Sequence, residues 1–381
     1  MLRDLTIQNY RCFKDFHIDG LARVNLIVGM NNIGKTSLLE AVYLLINQGN
    51  PQCLLGLLED RGEIVPPTSS TSSRVTLGGS GLLSTRRYQI RHIFQGHQFG
   101  FNQTINLQSQ KELSLSLKIQ LRSVTRQEQS LEDIPDFDMS VEDTSEIDFS
   151  LVELYLSYGS DLEMRVPVRE DGSLEARSFR LTRQQSQTNP FLLTQPFQFL
   201  TTSNQTFDKL ATMWDKINLT PEEEKVVAAL QILEPDVKRI GFTSRLTSNS
   251  GILLKLDKQS DPIPLGSMGE GMRRILSLAM AAVTAENGFL LVDEIETGLY
   301  YETQTDMWRL ILEVAQQLNV QVFATTHSWD CISAFQEALS QVEDSSVGKL
   351  FRLSKRDETI RPVAYTADEL AIAVPHSIEV R

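Results

Sequence analysis

The run GMNNIGKT at Gly29–Thr36 places two glycines, a lysine and a hydroxyl at the spacing of a loop that grips phosphate. Glycines allow a turn in which successive backbone N–H groups face phosphate oxygens, and the following helix N-terminus adds its dipole. Gly29, Asn31, Asn32, Gly34, Lys35, Thr36 and Ser37 are therefore candidate nucleotide-binding residues. Lys35 would neutralise β- and γ-phosphate charge, and Thr36 would set its hydroxyl on Mg²⁺. A second cluster follows the apolar run Phe289–Val292: Asp293, placed to hold Mg²⁺ through a water, and Glu294, placed to polarise an attacking water as general base. Ser267 and Gly269, with the N–H groups of the helical pattern that follows, make a second anion site, and Glu270 beside them is a further candidate nucleotide-binding residue. His327 ends the strand pattern Gln321–Thr325, where it can meet a γ-phosphate. Lys35, Glu294 and His327 are the candidate catalytic residues, Thr36 and Asp293 the candidate metal ligands. These sets predict a nucleoside triphosphate site.

The elements that must hold these groups are legible on both sides. Arg23–Val28 is a buried strand entering the loop, and Ser37–Ile46 is an apolar helix leaving it. Leu2–Phe13 alternates enough to be an edge strand leading to that strand. Period-two alternation over Leu113–Leu121, and again over Phe149–Tyr158, predicts antiparallel strands with one wet face. Thr220 followed by Pro221 and three glutamates starts a helix that runs to about Leu233. Arg239–Arg245 and Ile252–Leu256 flank a hairpin turn at Asn249–Gly251. From Ser267 onward helix and strand alternate again: a helix over Gly271–Ala285, strand Gly288–Val292, a helix after Tyr300 and strand Gln321–Thr325, then strands at Lys349–Leu353 and Ile360–Tyr365 and a helix after Thr366.

The fold class is thus α/β, a mixed sheet with an antiparallel β subdomain and an inserted helical and β region. The segments are 1–60 and 258–353 for the nucleotide lobe, 61–218 for the β subdomain and insert, 219–257 for a helix and hairpin, and 354–381 for a short extension. Pro66–Ser73 is a low-complexity linker.

With 381 residues, two lobes are the default. The net charge of −13 argues against wrapping nucleic acid with the whole surface. Gln127–Asp148 holds nine acidic residues and no Lys or Arg, a solvated loop or a docking segment. The three cysteines, Cys12, Cys53 and Cys331, lie far apart, which excludes a disulfide framework and a zinc site. No apolar stretch reaches membrane-spanning length and no leader opens the chain, so no membrane and a cytoplasmic location are expected.

The order of phosphate loop, serine-glycine loop, Asp-Glu and histidine resembles the ABC-type ATPases. The opening Asn9–Phe13, with Arg11 at its centre, looks like the N-F-R-x-F start of RecF-, SMC- and OLD-type ATPases. Asp293–Tyr300 looks like the D-E-x-E-x-G-L-H segment of the OLD-like branch, with Tyr300 where histidine is common. Thr220–Pro235 resembles the helical insert of these proteins, and Arg86–Phe94 sits where the branch has its Q-loop region, nominating Gln95. The likeness covers 1–50 and 219–353 well and 74–218 loosely. The signature loop reads SMGEG, a departure from the transporter-type LSGGQ.

The resemblance implies ATP with Mg²⁺, Arg11 as a further nucleotide contact, and a head-to-tail pair or higher homo-oligomer. Ser267 and Gly269 of one copy would cap the ATP held by Lys35 and Thr36 of the other. It also implies regulation of an effector nuclease in anti-phage defence. OLD nucleases carry a Toprim domain after the ATPase, and the sole D-x-D here, Asp136 and Asp138, lies in the acidic loop, so the nuclease is expected on a separate polypeptide. A DNA-metabolism ATPase clamping duplex stands beside this, with Arg165, Arg169, Arg177, Arg180 and Arg183 as phosphate contacts. The subunit of a transporter and a non-hydrolysing structural protein are the remaining alternatives.

Overall fold

The alternating N-terminal stretch folds as two strands. In the computed structural model, which describes residues 1–65, 86–97, 100, 103–124, 151–158, 162–169, 171–175, 195–203, 205–243, 251–357 and 359–380, β1 (Asp4–Tyr10) turns back at Arg11–Cys12 into β2 (Phe13–Asp19). Asn9 and Arg11 adopt φ of 58° and 49° around that turn. The alternation over Leu2–Phe13 predicts an edge strand leading to the phosphate-loop strand. Instead β1 is an inner strand of a separate antiparallel sheet, hydrogen-bonded on both sides. Burial explains it: β1 and β2 bury roughly alternate residues, as a sheet with one wet face requires, whereas β3 (Val24–Val28) is buried at every position.

After β3 come α1 (Lys35–Ile46), α2 (Pro51–Asp60), β4 (Ile64–Val65) and β5 (Arg87–Gln89). Then β6 (Thr104–Ser109), β7 (Leu115–Val124), β8 (Leu151–Tyr158) and β9 (Leu162–Val168) complete a six-stranded sheet ordered β2-β1-β6-β7-β8-β9. The two alternating runs expected to pair do so, with Ile119 opposite Leu156 and Leu121 opposite Leu154. β10 (Ser173–Glu175) joins β5 and β4 in a small sheet.

β11 (Phe197–Leu200) begins the return to the nucleotide lobe, followed by α3 (Phe207–Ile217), α4 (Pro221–Gln231), β12 (Val237–Phe242), β13 (Ile252–Leu256) and β14 (Ile263–Pro264). Thr220 stands at the N-cap of α4 as expected, but its hydroxyl donates back to the Ile217 carbonyl at 2.6 Å and caps nothing. β12 and β13 form the expected antiparallel pair. The remaining elements are α5 (Glu270–Thr284), β15 (Phe289–Val292), α6 (Tyr301–Gln317), β16 (Gln321–Thr325), α7 (Trp329–Leu339), β17 (Gly348–Arg356), β18 (Thr359–Tyr365) and α8 (Ala367–Ala373).

The central sheet runs β11-β15-β16-β3-β17-β18, parallel except for β18. β15, β16 and β3 are buried at every position because both faces are covered. α1 and the antiparallel sheet share one hydrophobic core with one face, and α3 to α8 share another with the opposite face. Asn25, buried mid-strand, is tolerated because its amide bonds the Ala22 and Val322 carbonyls and its oxygen accepts from the Ala22 N–H. No helix of the described residues is long and apolar enough to cross a membrane.

Gly288, where β15 starts, leaves no room for a side chain: a Cβ there would lie 1.8 Å from the Pro196 carbonyl oxygen, which accepts from the Phe289 N–H. Gly288→Ala should push β11 from β15 and cost about 1–3 kcal/mol, read as a lowered urea midpoint. The linker 66–73, the acidic run 127–148 with Asp136 and Asp138, Arg177, Arg180, Arg183, and Asn249 and Ser250 of the hairpin turn lie outside the described residues.

Candidate functional site

The phosphate loop connects the buried end of β3 to the first turn of α1 through conformations that only small residues reach easily. Gly29 has φ 145° and Gly34 φ 101°. A Cβ on Gly29 would sit 2.8 Å from the Leu353 carbonyl oxygen, and one on Gly34 would sit 2.4 Å from Cys12 Sγ. Gly34 also occupies the N-cap of α1 without a side-chain cap, leaving the helix's first N–H groups to the loop's interior. Gly34→Ala is expected to weaken nucleotide binding at least tenfold, through strain and the Cys12 clash, in a fluorescent-nucleotide titration.

Lys35 is buried, and its Nζ donates to the Gly29 carbonyl at 2.7 Å and the Met30 carbonyl at 3.1 Å. Burial lowers its pKa, while Asp293, Glu294 and Glu296 pull the other way. The ammonium is thus held by loop carbonyls that phosphate oxygens can replace. Asn31 and Asn32 are exposed at the loop tip, the latter with φ 62°, and Ser37 is buried behind it.

Thr36 Oγ1 donates to Asp293 Oδ2 at 2.9 Å, joining the phosphate loop to the end of β15. The second Asp293 oxygen accepts from Thr325 Oγ1 at 2.6 Å, and that hydroxyl in turn accepts from the Glu294 N–H at 2.8 Å. The C-terminal ends of β15 and β16 are therefore fixed to α1 by one carboxylate. A hydroxyl and a carboxylate are hard oxygen donors suited to Mg²⁺.

Glu294 has φ 45°, in the left-handed region that a non-glycine residue enters at a cost. The turn aims its carboxylate at His327, with Oε1 3.5 Å from Nδ1. Glu296 approaches the same nitrogen at 3.6 Å and also accepts from the His327 N–H at 3.4 Å. Its other oxygen, Oε2, is buried with no hydrogen-bond partner among the described residues. His327 is half exposed, so a nucleotide can reach it.

Ser267, Gly269 and Glu270 are all exposed at the start of α5, where Gly269 turns the chain with φ 90°. Among the described residues no hydrogen bond connects them to the phosphate loop of the same copy. Arg11 is instead deep in the lobe: its Nε meets Glu40 Oε2 at 2.6 Å and its Nη1 meets Glu63 Oε1 at 2.7 Å. Its edge also lines a groove of about 480 Å³ beside the phosphate loop, together with Lys14, Asn32, Gln95, His97 and Lys355. Gln95 thus shares a cavity with the loop.

The structure brings Lys35, Thr36, Asp293, Glu294 and His327 into one neighbourhood and leaves the Ser267 loop on the surface. It adds Thr325, Glu296, Glu40 and Arg274, which sequence reasoning had not assigned. Glu296 had a visible signal, a third carboxylate in the run Asp293–Glu296. Thr325 had only its place at a strand end.

A family model for the AAA ATPase domain matches residues 1–76 and 103–332. An ATP/GTP phosphatase from Helicobacter pylori is 23% identical over 97% of this chain and 97% of its own length. The DNA replication and repair protein RecF of Bacillus cytotoxicus is 32% identical over a shorter segment, 20% of this chain and 22% of that protein. A solved Smc head domain with an extended coiled coil, bound to the C-terminal domain of ScpA derived from Pyrococcus furiosus, is 10% identical with a TM-score of 0.47 over 99% of each chain. The family model spans most of the chain and the phosphatase relative its full length: the protein is an ATPase and belongs to the AAA ATPase domain family.

Proposed function

We propose that this ATPase is a nucleotide-operated clasp: two copies close head to tail around ATP, and hydrolysis releases them. The observation that carries the reading is the division of the site, with Lys35, Thr36 and Asp293 joined in one place while Ser267 and Gly269 stand exposed on another element. A phosphate capped by the second copy has higher affinity for the closed state, which is what a switch requires.

Within each half-site Lys35 exchanges its carbonyl partners for β- and γ-phosphate oxygens, and the N–H groups at Gly34–Ser37 hold the rest. Glu294 orients the attacking water and takes its proton, and His327 spans Glu294, Glu296 and the γ-phosphate. Thr36 and Asp293 would hold Mg²⁺, which when bound neutralises charge on the phosphate oxygens.

The output of the clasp is control of a separate effector, a Toprim-type nuclease in prokaryotic anti-phage defence, the reading that the Asp293–Tyr300 resemblance supports. Sedimentation of the protein with and without ATP tests the clasp, and co-purification from its native host tests the effector. A protein that stays monomeric with ATP at micromolar concentration overturns the first, and one that captures no nuclease overturns the second.

A duplex-clamping function has its own support. Arg122 and Arg165 place their guanidiniums 4.2 and 5.2 Å from the centre of the Tyr155 ring on the antiparallel sheet, and part of the chain is similar to RecF. Salt-sensitive duplex binding that strengthens with ATP would select this reading.

A further inference from the structure

The helix α5 carries functional groups at two places. Its N-terminus presents the exposed Ser267–Gly269 loop, and in its second turn Arg274 points into the protein, 5% exposed. Arg274 Nη1 donates to the Thr201 carbonyl at 2.9 Å, and Nη2 donates to the Asp293 carbonyl at 2.9 Å and the Glu294 carbonyl at 3.0 Å. Its Nε is buried with no hydrogen-bond partner among the described residues. Among the described residues none of its hydrogen bonds goes to a carboxylate, although Asp293, Glu294, Glu296 and Glu270 all surround it electrostatically. A buried guanidinium normally finds an acidic partner. Here its donors are directed at the backbone of the strand end that carries the hydrolytic carboxylate, in the turn where Glu294 holds φ 45°.

The packing around this contact is close. A Cβ on Gly271 would lie 3.0 Å from the Gly298 carbonyl oxygen, and one on Gly298 would lie 3.4 Å from Glu270 Cγ and 3.9 Å from Arg274 Cβ. The first turn of α5 and the segment after Glu294 therefore approach closely at Gly271 and Gly298, beside the Arg274 contact.

We propose that Arg274 is a positioning residue that transmits the state of the Ser267–Gly269 loop to Glu294 of the same copy. The inference rests on the two-copy reading above. When the loop engages a γ-phosphate held by the second copy, α5 shifts, and Arg274 passes the shift to the Asp293 and Glu294 carbonyls. Occupancy of one site thereby sets the general base of the other.

The test uses full-length wild type and Arg274→Lys, which keeps the charge but not the planar fork. Wild type should associate with ATP and turn over with a Hill coefficient above one. Arg274→Lys should keep ATP-dependent association and KM within about threefold, lose about 3- to 30-fold in kcat and fall to a Hill coefficient of about one. A merely structural arginine would instead lower kcat, association and melting temperature together, and that result overturns the proposal. So does a variant with unchanged kcat and Hill coefficient. Wild type that never associates with ATP overturns the two-copy reading itself, which separates the two failures.

Should Arg274→Lys not fold, hydrogen exchange in a mixed pair decides. A Lys35→Ala copy, isotope-labelled and paired with wild type, should show slowed exchange over 295–299 on ATP addition although its own phosphate loop cannot hold nucleotide. Unchanged exchange there overturns the coupling.

Discussion

Glu294→Gln should reduce steady-state ATP turnover by about 10²- to 10⁴-fold while leaving ATP affinity nearly intact. The amide fits the same space and can still meet His327 Nδ1, now 3.5 Å from the carboxylate, but it cannot accept the proton of the attacking water. Lys35, Thr36 and Asp293 make their contacts without help from the Glu294 side chain, so binding survives. The expected signature is a kcat effect with little change in KM, the pattern of an interaction that matters only in the transition state. With ATP and Mg²⁺ the variant should also accumulate as the paired species in sedimentation, since release follows hydrolysis. Turnover within threefold of wild type would remove Glu294 from the chemistry.

Glu40→Ala should cost the fold about 3–5 kcal/mol. The Glu40 carboxylate, buried in α1, meets Arg11 Nε at 2.6 Å and Arg61 Nε at 2.7 Å and accepts from Tyr10 Oη at 3.3 Å. Removing it leaves the Arg11 guanidinium buried with Glu63 as its one carboxylate partner among the described residues. Burial alone would lower the Arg11 pKa; Tyr10, Glu40 and Glu63 oppose this and hold it above its ordinary value, so the cation cannot escape by losing its proton. Urea denaturation monitored by circular dichroism reads the loss. Glu40→Gln should cost less, because the amide still accepts one guanidinium bond. Nucleotide binding should weaken in step, since the Arg11–Cys12 turn backs directly onto Gly34. A midpoint unchanged in Glu40→Ala would show that the cluster contributes nothing to stability.

The contrast between these two residues explains what could be read in advance. Glu294 was legible because its chemistry is written in neighbours: an apolar strand, then two carboxylates. The phosphate loop is equally contiguous, and its strand and helix follow from the mostly apolar runs on either side. Arg11 was nominated by its motif as a nucleotide contact, yet whether it faces ligand or interior depends on Glu40 and Glu63, which belong to other elements. Arg274 carries no local signal and Thr325 only its place at a strand end, because their partners are carbonyls and side chains brought close only by the sheet. β11 was missed as a strand: Phe197–Leu200 is four residues long and becomes one only beside β15. The displaced β1 has the same origin, since alternation identifies a half-buried strand but not the sheet it joins.

The position of β3 between β16 and β17 carries a consequence for biosynthesis. Asn25 on β3 bonds the Val322 carbonyl on β16 across 297 positions of chain. Ribosomes add about 5–20 residues per second, so this early hydrophobic segment waits roughly 15–60 s for its lateral neighbours. During that interval its amide edges and greasy side chains are open to mispairing. Newly made chains should therefore depend on chaperone shielding, and fragments ending before Val320 should precipitate instead of folding.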